Sequence, residues 1–326
     1  MKDNKIVTEI NLWNLPEEKI YVKIVDKCRI EFFDYILRIS KTVNNLLVLT
    51  NRKTLTFGKY KNGEISIPLK LIKNILGLCS KHERIKFMYE IQNSIKEIKY
   101  GCQGKSIINP NFPINFSCIF AHIAGHLVGD GGISNRGLGI STYYTNQCNS
   151  LVECFKTNLS EVFSNVEFRI FHDKRDNTKT IHLPSIVGLI LMQFLGLQVG
   201  DTKQVPKLII NSNKLIKSTF LRALFDDEGS VNVNNHLIRL GISNESVIEV
   251  TKNMLKEFGI LPTKTIKING KNGWRDRYDF CIVSRGDLEI FNKKIGFDHP
   301  EKKKKLEFLL KSYKSFQSRK GNLEKL

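Results

Sequence analysis

Two carboxylates stand at matching places in the chain. "HLVGDGGISN" (126–135) ends an apolar run on Asp130 among glycines, and "FLRALFDDEGSV" (220–231) ends a similar run on Glu228 before Gly229. The two acids are 98 residues apart. Brought together, they would make a hard-oxygen site suited to Mg²⁺, where a bound water loses a proton easily and charge developing on a phosphodiester is neutralised. Held apart, Asp130 is an Asp-Gly turn after a helix and Glu228 a solvated helix end. What must be decided is whether the surrounding elements place them together.

Both acids sit in the same order of elements, and a repeat at one domain-sized interval points to a duplicated unit. Each acid-glycine turn leads into a short strand, "LGIST" (138–142) or "RLGIS" (239–243), and then an amphipathic helix, "NSLVECFKTNLSEVF" or "ESVIEVTKNMLKEFGI". Strand pairs follow, "VEFRIF" with "KTIHLP" and "TKTIKIN" with "RYDFCIV". Each unit closes on an apolar helix ending at Gly196 or Gly296. Alternation assigns faces. Ile238, Leu240 and Ile242 oppose Arg239; Ile266 and Ile268 oppose Lys267 and Asn269; Val166, Phe168 and Ile170 oppose Arg169; Arg277 opposes Tyr278, Phe280 and Ile282. One face is apolar and the other carries Arg, Lys, Asn and Ser, the side chains that read guanine and adenine in a major groove. The groups expected to touch nucleic acid are Arg136, Arg169, Lys179, Arg239, Lys267, Asn269, Arg275 and Arg277.

Charge agrees. Lys and Arg number 51 against 32 Asp and Glu, a formal net charge of +19, and a folded protein this basic attracts polyanions. No apolar run reaches the roughly 18 residues of a membrane span, and "MKDNKIVTEINLWNLPEEKI" has no apolar segment of a secretory signal. The seven cysteines form no CxxC pair, which speaks against a disulfide framework or zinc knuckle and for a reducing cytosol, or an organelle if organelle-encoded.

"IAGHLVGDG" (123–131) and "LRALFDDEG" (221–229) resemble the two copies of the LAGLIDADG motif of homing endonucleases, and the resemblance covers roughly 117–320. It implies an α+β fold of two pseudo-symmetric αββαββα units in one chain, 117–213 and 214–320, forming a DNA-binding β-saddle in a monomer. The motif helices would pack on each other through Ala124, Gly125, Gly129 and Ala223. By resemblance Asp130 and Glu228 are the catalytic, metal-binding acids, with Gly129 and Asp227 as further metal-binding residues and two or more Mg²⁺ shared between the units. Lys203 of "VGDTKQVPKL" and Lys302 (or Lys303) of "HPEKKKKL" match the lysines that complete such sites. The second motif departs from the pattern at Ala223 and at Asp227, where the family usually has a small residue. His126 is expected to be a hydrogen-bonded core residue, and Asp226 and Asp227 either to crowd the metal site or to face solvent.

Residues 1–105 lack the motif and read as a mostly helical domain, joined by a linker at 106–116. The stretch around 32–78 resembles a helix-turn-helix module, with Lys59, Tyr60, Lys61 and Asn62 as the DNA-facing residues and Pro68 in the first turn of a helix. A 106–326 fragment, holding both acids, is expected to retain cutting. The function implied is a site-specific, metal-dependent double-strand DNA endonuclease. The alternatives on the same fold are a non-cleaving DNA-binding regulator and an RNA maturase. Met1 and the closing "NLEKL" are unlike the termini that protein splicing needs, so a free-standing or intron-encoded protein is expected.

Overall fold

Ile20, Val22 and Ile24 alternate with Tyr21 and Lys23, and the alternation makes a strand where helices alone were expected. The computed structural model describes residues 8–40, 54–135, 139–196, 203–270, 273 and 275–323. Its first part runs β1 (Glu9–Ile10), β2 (Ile20–Ile24), α1 (Asp26–Ile39), α2 (Thr54–Lys61), β3 (Ile67–Pro68), α3 (Leu69–Gly77), α4 (Lys81–Asn93), β4 (Ile95–Tyr100), β5 (Ser106–Ile108) and β6 (Ile114–Asn115). Phe32, Phe33 and Ile36 of α1 lie buried with Ile72 and Ile75 of α3 and Phe87 of α4. Phe32 and Phe87 meet edge to face at 5.2 Å.

The sheet corrects two expectations. The segment is not an all-helical module, because a sheet ordered β3-β2-β4-β5-β9 runs through it. Nor is it separate: β9 (Asn165–Val166) comes from beyond the first motif and pairs with β5 through Ile107 and Val166. The residues expected as a linker therefore supply β5 and β6, and truncation at 105 would strip β5 of its partner β4. The helix-turn-helix expectation also fails locally. Strand β3 separates α2 from α3, Pro68 caps α3 rather than sitting in its first turn, Tyr60 is only 5% exposed, and Lys61 pairs with Asp34 at 2.7 Å.

From the first motif onward the element order is α5 (Cys118–Val128), β7 (Gly131–Asn135), β8 (Ile140–Asn146), α6 (Asn149–Phe163), β9, β10 (Arg169–Asp173), β11 (Thr178–Leu183) and α7 (Ser185–Leu195). A short helix α8 (Lys207–Ile210) leads into the second copy: α9 (Lys214–Glu228), β12 (Gly229–Asn232), β13 (Leu237–Ile242), α10 (Glu245–Glu257), β14 (Ile266–Ile268), β15 (Arg277–Ile282), α11 (Arg285–Lys294) and α12 (Pro300–Leu323). The antiparallel sheets are ordered β7-β8-β11-β10 and β12-β13-β15-β14, so the two copies share one strand order. Helix α7 packs on β8 of its own unit and on β4 and β5 of the N-terminal sheet, a second tie across the expected boundary.

Helices α5 and α9 pack against each other. Ser117 caps the first by accepting from Phe120 N, and Asn213 caps the second by accepting from Ile216 N. Residues 120–128 are all buried, which suits a helix enclosed by its own unit and by its partner. The crossing depends on missing side chains. A Cβ on Gly125 would lie 2.6 Å from Phe220 O and 2.7 Å from Ala223 Cβ, and one on Gly129 would lie 2.7 Å from Asp227 Oδ2. The small residues expected at the crossing are there for that reason. Glycine inside a helix costs about 1 kcal/mol relative to alanine, and the close packing it permits must offset that. Gly125→Val is expected to force α5 and α9 apart and to cost at least about 1–3 kcal/mol. A urea midpoint equal to that of the unmodified protein, at unchanged slope, would contradict this packing.

Candidate functional site

The two acids leave the ends of the paired helices: Glu228 is the last residue of α9, and Asp130 follows the Gly129 cap of α5. They lie close enough that the charge of Asp130 pushes Glu228 upward. Burial is the larger cause for both, and each carboxyl is raised to about 7. A cleft of about 600 Å³ opens beside Glu228, lined also by Gly241, Ser243, Arg275 and Arg277. Another of about 380 Å³ lies beside Asp130 and is lined by Thr145, Asn146, Asp227 and Lys302.

Each helix end receives a lysine. Lys203 Nζ donates to the carbonyl of Gly129 at the end of α5. Lys302 Nζ donates to the carbonyls of Phe225 (3.2 Å), Asp226 and Asp227 (3.1 Å) at the end of α9. The last carbonyls of a helix have no partner within it and carry its negative pole, so an ammonium there is well placed. Both ammonium groups also pull Asp130 downward against its burial, and Lys203 and Arg277 do the same for Glu228. Burial lowers the Lys302 ammonium while Asp226, Asp227, Asp130 and Glu228 hold it up. The four side chains singled out from the sequence, Asp130, Glu228, Lys203 and Lys302, thus converge.

Asp227 has a different place from the one expected. It stands across from Gly129, its side chain has no exposed area, and both oxygens are engaged. Oδ2 faces His126 Nδ1 at 3.0 Å and accepts from Asp130 N at 3.4 Å; Oδ1 accepts from Tyr144 OH at 2.9 Å and Asn146 Nδ2 at 3.1 Å. The same Asn146 amide donates to Asp130 Oδ2 at 3.0 Å. Burial pushes Asp227 up to about 7 although these donors work against it, and holds His126 down at about 4. The carboxylate allowed by Gly129 therefore braces the first acid through Asn146. His126 is the hydrogen-bonded core residue expected. Asp226 neither crowds the acids nor faces water: buried, it accepts from the backbone N–H of Asp298 and His299 just before α12. Tyr144 and Asn146 escaped the sequence reading. Their two-residue spacing on β8 puts them on one inward face, which was the available signal.

One further group of ligand types, His122, Asp226 and Asp298, has atoms within 4.8 Å of one another. Protein partners account for it: Asn158 meets His122 Nδ1 at 2.9 Å, and Asp226 is taken by the two backbone amides. Asp130 and Glu228 instead meet the chemistry a hard divalent ion asks for. They are oxygen donors, drawn out of bulk water, whose like charges a cation would offset.

The strand pairing sorts the expected nucleic-acid contacts, because residues directly opposite each other project from the same face. In the first sheet Arg169 pairs with His182 and Phe171 with Thr180; with Tyr143 and Thr145 they form the face turned away from the buried Tyr144 and Ile181. Lys179 lies opposite Asn146, on the other face. In the second sheet Arg239 pairs with Cys281 and Gly241 with Asp279, so Arg239, Asp279 and Arg277 share the outer face. Ile266 and Ile268 pair with Asp279 and Arg277 and are outward, Ile266 being 60% exposed. Lys267 pairs with Tyr278 on the opposite side and bonds Asp276 at 2.7 Å. The expected facing of β14 is thus reversed: its isoleucines look buried by pattern, but β14 is an edge strand. Asn269 is exposed just beyond that strand, Arg275 lines the cleft beside Glu228, and Arg136 lies outside the described residues.

Two copies of an α+β unit are thus joined through paired helices that each end at an acid, and one of the copies is matched by a known family. Residues 215–296 match a family model described as a LAGLIDADG-like domain. That match covers the second unit, from α9 to the end of α11. It is similar to the glutamine–fructose-6-phosphate aminotransferase of Methanocaldococcus jannaschii, with 25% identity over 65% of this chain and 19% of that protein. It is also similar to the replication factor C small subunit of the same organism, with 29% identity over 57% of this chain and 10% of that protein. The chain thus spans a fifth or less of the length of these relatives. Among solved structures it is similar to I-DmoI in complex with DNA and Mn, with 18% identity over 55% of this chain and 96% of that chain, at a TM-score of 0.42. No helix among the described residues is long and apolar enough to cross a membrane, and the seven cysteines are free thiols.

Proposed function

We propose that the protein is a site-specific endonuclease that makes a metal-dependent double-strand cut in a long DNA target, acting as a monomer. The observation that carries this reading is the meeting of Asp130 and Glu228 at the ends of α5 and α9, with Lys203 held at one helix end and Lys302 at the other. One acid per unit suits a duplex, which presents one scissile phosphate per strand. Divalent ions, Mg²⁺ in the first place, would supply an acidified water and charge neutralisation at the phosphate. Asp130 and Glu228 would hold them, and the lysines would steady charge on the phosphate oxygens. The two outer sheet faces, on a chain of formal charge +19, would lie along the duplex on either side. The relatives named above differ in activity and are matched over small fractions of their length, so neither activity is carried over to this chain.

The test is a supercoiled plasmid bearing a site the protein selects from randomised duplexes, incubated with Mg²⁺ or with chelator. Linear product that depends on the metal is expected. Tight site-specific binding with neither nick nor cut, under Mg²⁺ and Mn²⁺ alike, would overturn the enzyme reading in favour of a DNA-binding regulator. Selective binding of RNA over duplex DNA would favour the maturase.

A further inference from the structure

Asp279 has the least expected position on the second sheet. It lies on the outer face, where side chains are meant for solvent or a ligand, yet it is only 3% exposed. Two arginines cover it. Arg277 Nε donates to Asp279 Oδ1 at 2.8 Å, and Arg239 NH2 donates to Asp279 Oδ2. The opposite strand makes room: Gly241 is the cross-strand partner of Asp279, and a Cβ there would collide with both the Asp279 carboxylate and the Arg277 guanidinium. The charges are thus clasped in a slot built for them, about the cleft that also contains Glu228.

A guanidinium has five N–H donors in a rigid fork. Bonding one of them to a fixed carboxylate restrains the plane and direction of the rest, which lowers the ordering cost of a second, bidentate contact. The major-groove partner matching two parallel donors is the O6 and N7 edge of guanine. We infer that Asp279 is a positioning residue that aligns Arg239 and Arg277 to read guanines in the half of the target next to Glu228. The inference rests on the DNA reading proposed above and deepens it. The first sheet has nothing equivalent among the described residues of its outer face. There Thr145 and Thr180 bond each other at 2.8 Å and Phe171 stacks edge-on to His182 at 5.2 Å, groups suited to thymine methyls and mixed polar contacts. Among the described residues, arginines clasped by a carboxylate therefore serve one half of the target only.

Selection from duplexes with a long randomised core, in chelator so that none is cut, tests this even while the target sequence is unidentified. Unmodified protein is expected to enrich sites with fixed guanines on one side of the centre. Asp279→Asn should weaken those guanine preferences about tenfold or more and leave the other half-site unchanged, an asymmetry that loss of fold would not produce. Arg239→Lys and Arg277→Lys, at partly exposed side chains, should each relax a different guanine position while the protein stays folded. Guanine positions unmoved by all three substitutions, or a selected site with no guanine requirement on either side, would overturn the inference while leaving DNA recognition standing. Failure of the unmodified protein to enrich any duplex would overturn the DNA reading beneath it.

Discussion

Asp130→Asn or Glu228→Gln is expected to slow Mg²⁺-dependent double-strand cutting by at least about a hundredfold, the scale of losing a few kcal/mol of charge stabilisation at the phosphate. Both substitutions keep the shape of the side chain and one neutral oxygen, so Asn146 can still donate at position 130. What they remove is the charge that holds a cation. Binding should change little, because the faces of both sheets are untouched. Folding should not suffer either. Burial and neighbouring acids raise both carboxyls to about 7, so above that pH the ionised forms work against the folded state and their removal relieves it. Because the acids share one centre, each change should impair both strands, and a slow nick on one strand is compatible with the shared site. Cutting is scored as linear and nicked plasmid, with binding followed by gel shift and folding by thermal melting. Unaltered cutting in both variants at matched occupancy would remove the two acids from the mechanism.

Affinity for duplex DNA is expected to fall steeply with salt. The logarithm of affinity should drop by about 0.9 per neutralised phosphate for each unit of log salt. A saddle contacting about six to ten phosphates would lose roughly a thousandfold to a hundred-thousandfold in affinity between about 50 and 200 mM salt. The formal charge of +19 over the whole chain supports the direction, and basic groups such as Arg169 on the outer strand face are placed to contribute. The measurement is a fluorescence-anisotropy titration at several salt concentrations on one selected site. A flat dependence would mean that the outer faces do not lie along the phosphates. The same series with Arg169→Ala should show a slope smaller by about one contact.

Local features were legible where they were periodic and repeated. The 98-residue interval exposed the duplication, and the motif resemblance gave the glycines their place at a close helix contact. Short elements were not legible. Strands β3, β5 and β9 have two or three residues each, too few to display alternation, so the borrowed strand went unseen, although β2 alternates over Ile20–Ile24 and marks the N-terminal sheet. The facing of β14 was misread for a related reason. Ile266 and Ile268 alternate as a buried strand would, and only its edge position and its pairing with β15 turn them outward.

The sequence by itself determined the repeated order of elements and the two acids at matching places in it, because spacing and composition are properties of the chain in order. The lysines and the small residues between the helices were implied by the family resemblance. Tertiary structure alone decided the environment of those acids. Asp227 reaches His126, Tyr144 and Asn146 across 101, 83 and 81 residues, and Arg239 reaches Asp279 across 40. Such contacts leave no periodic trace in the sequence. They depend on how closely two helices approach and on which strand lies beside which, and both are settled only when the two units pack.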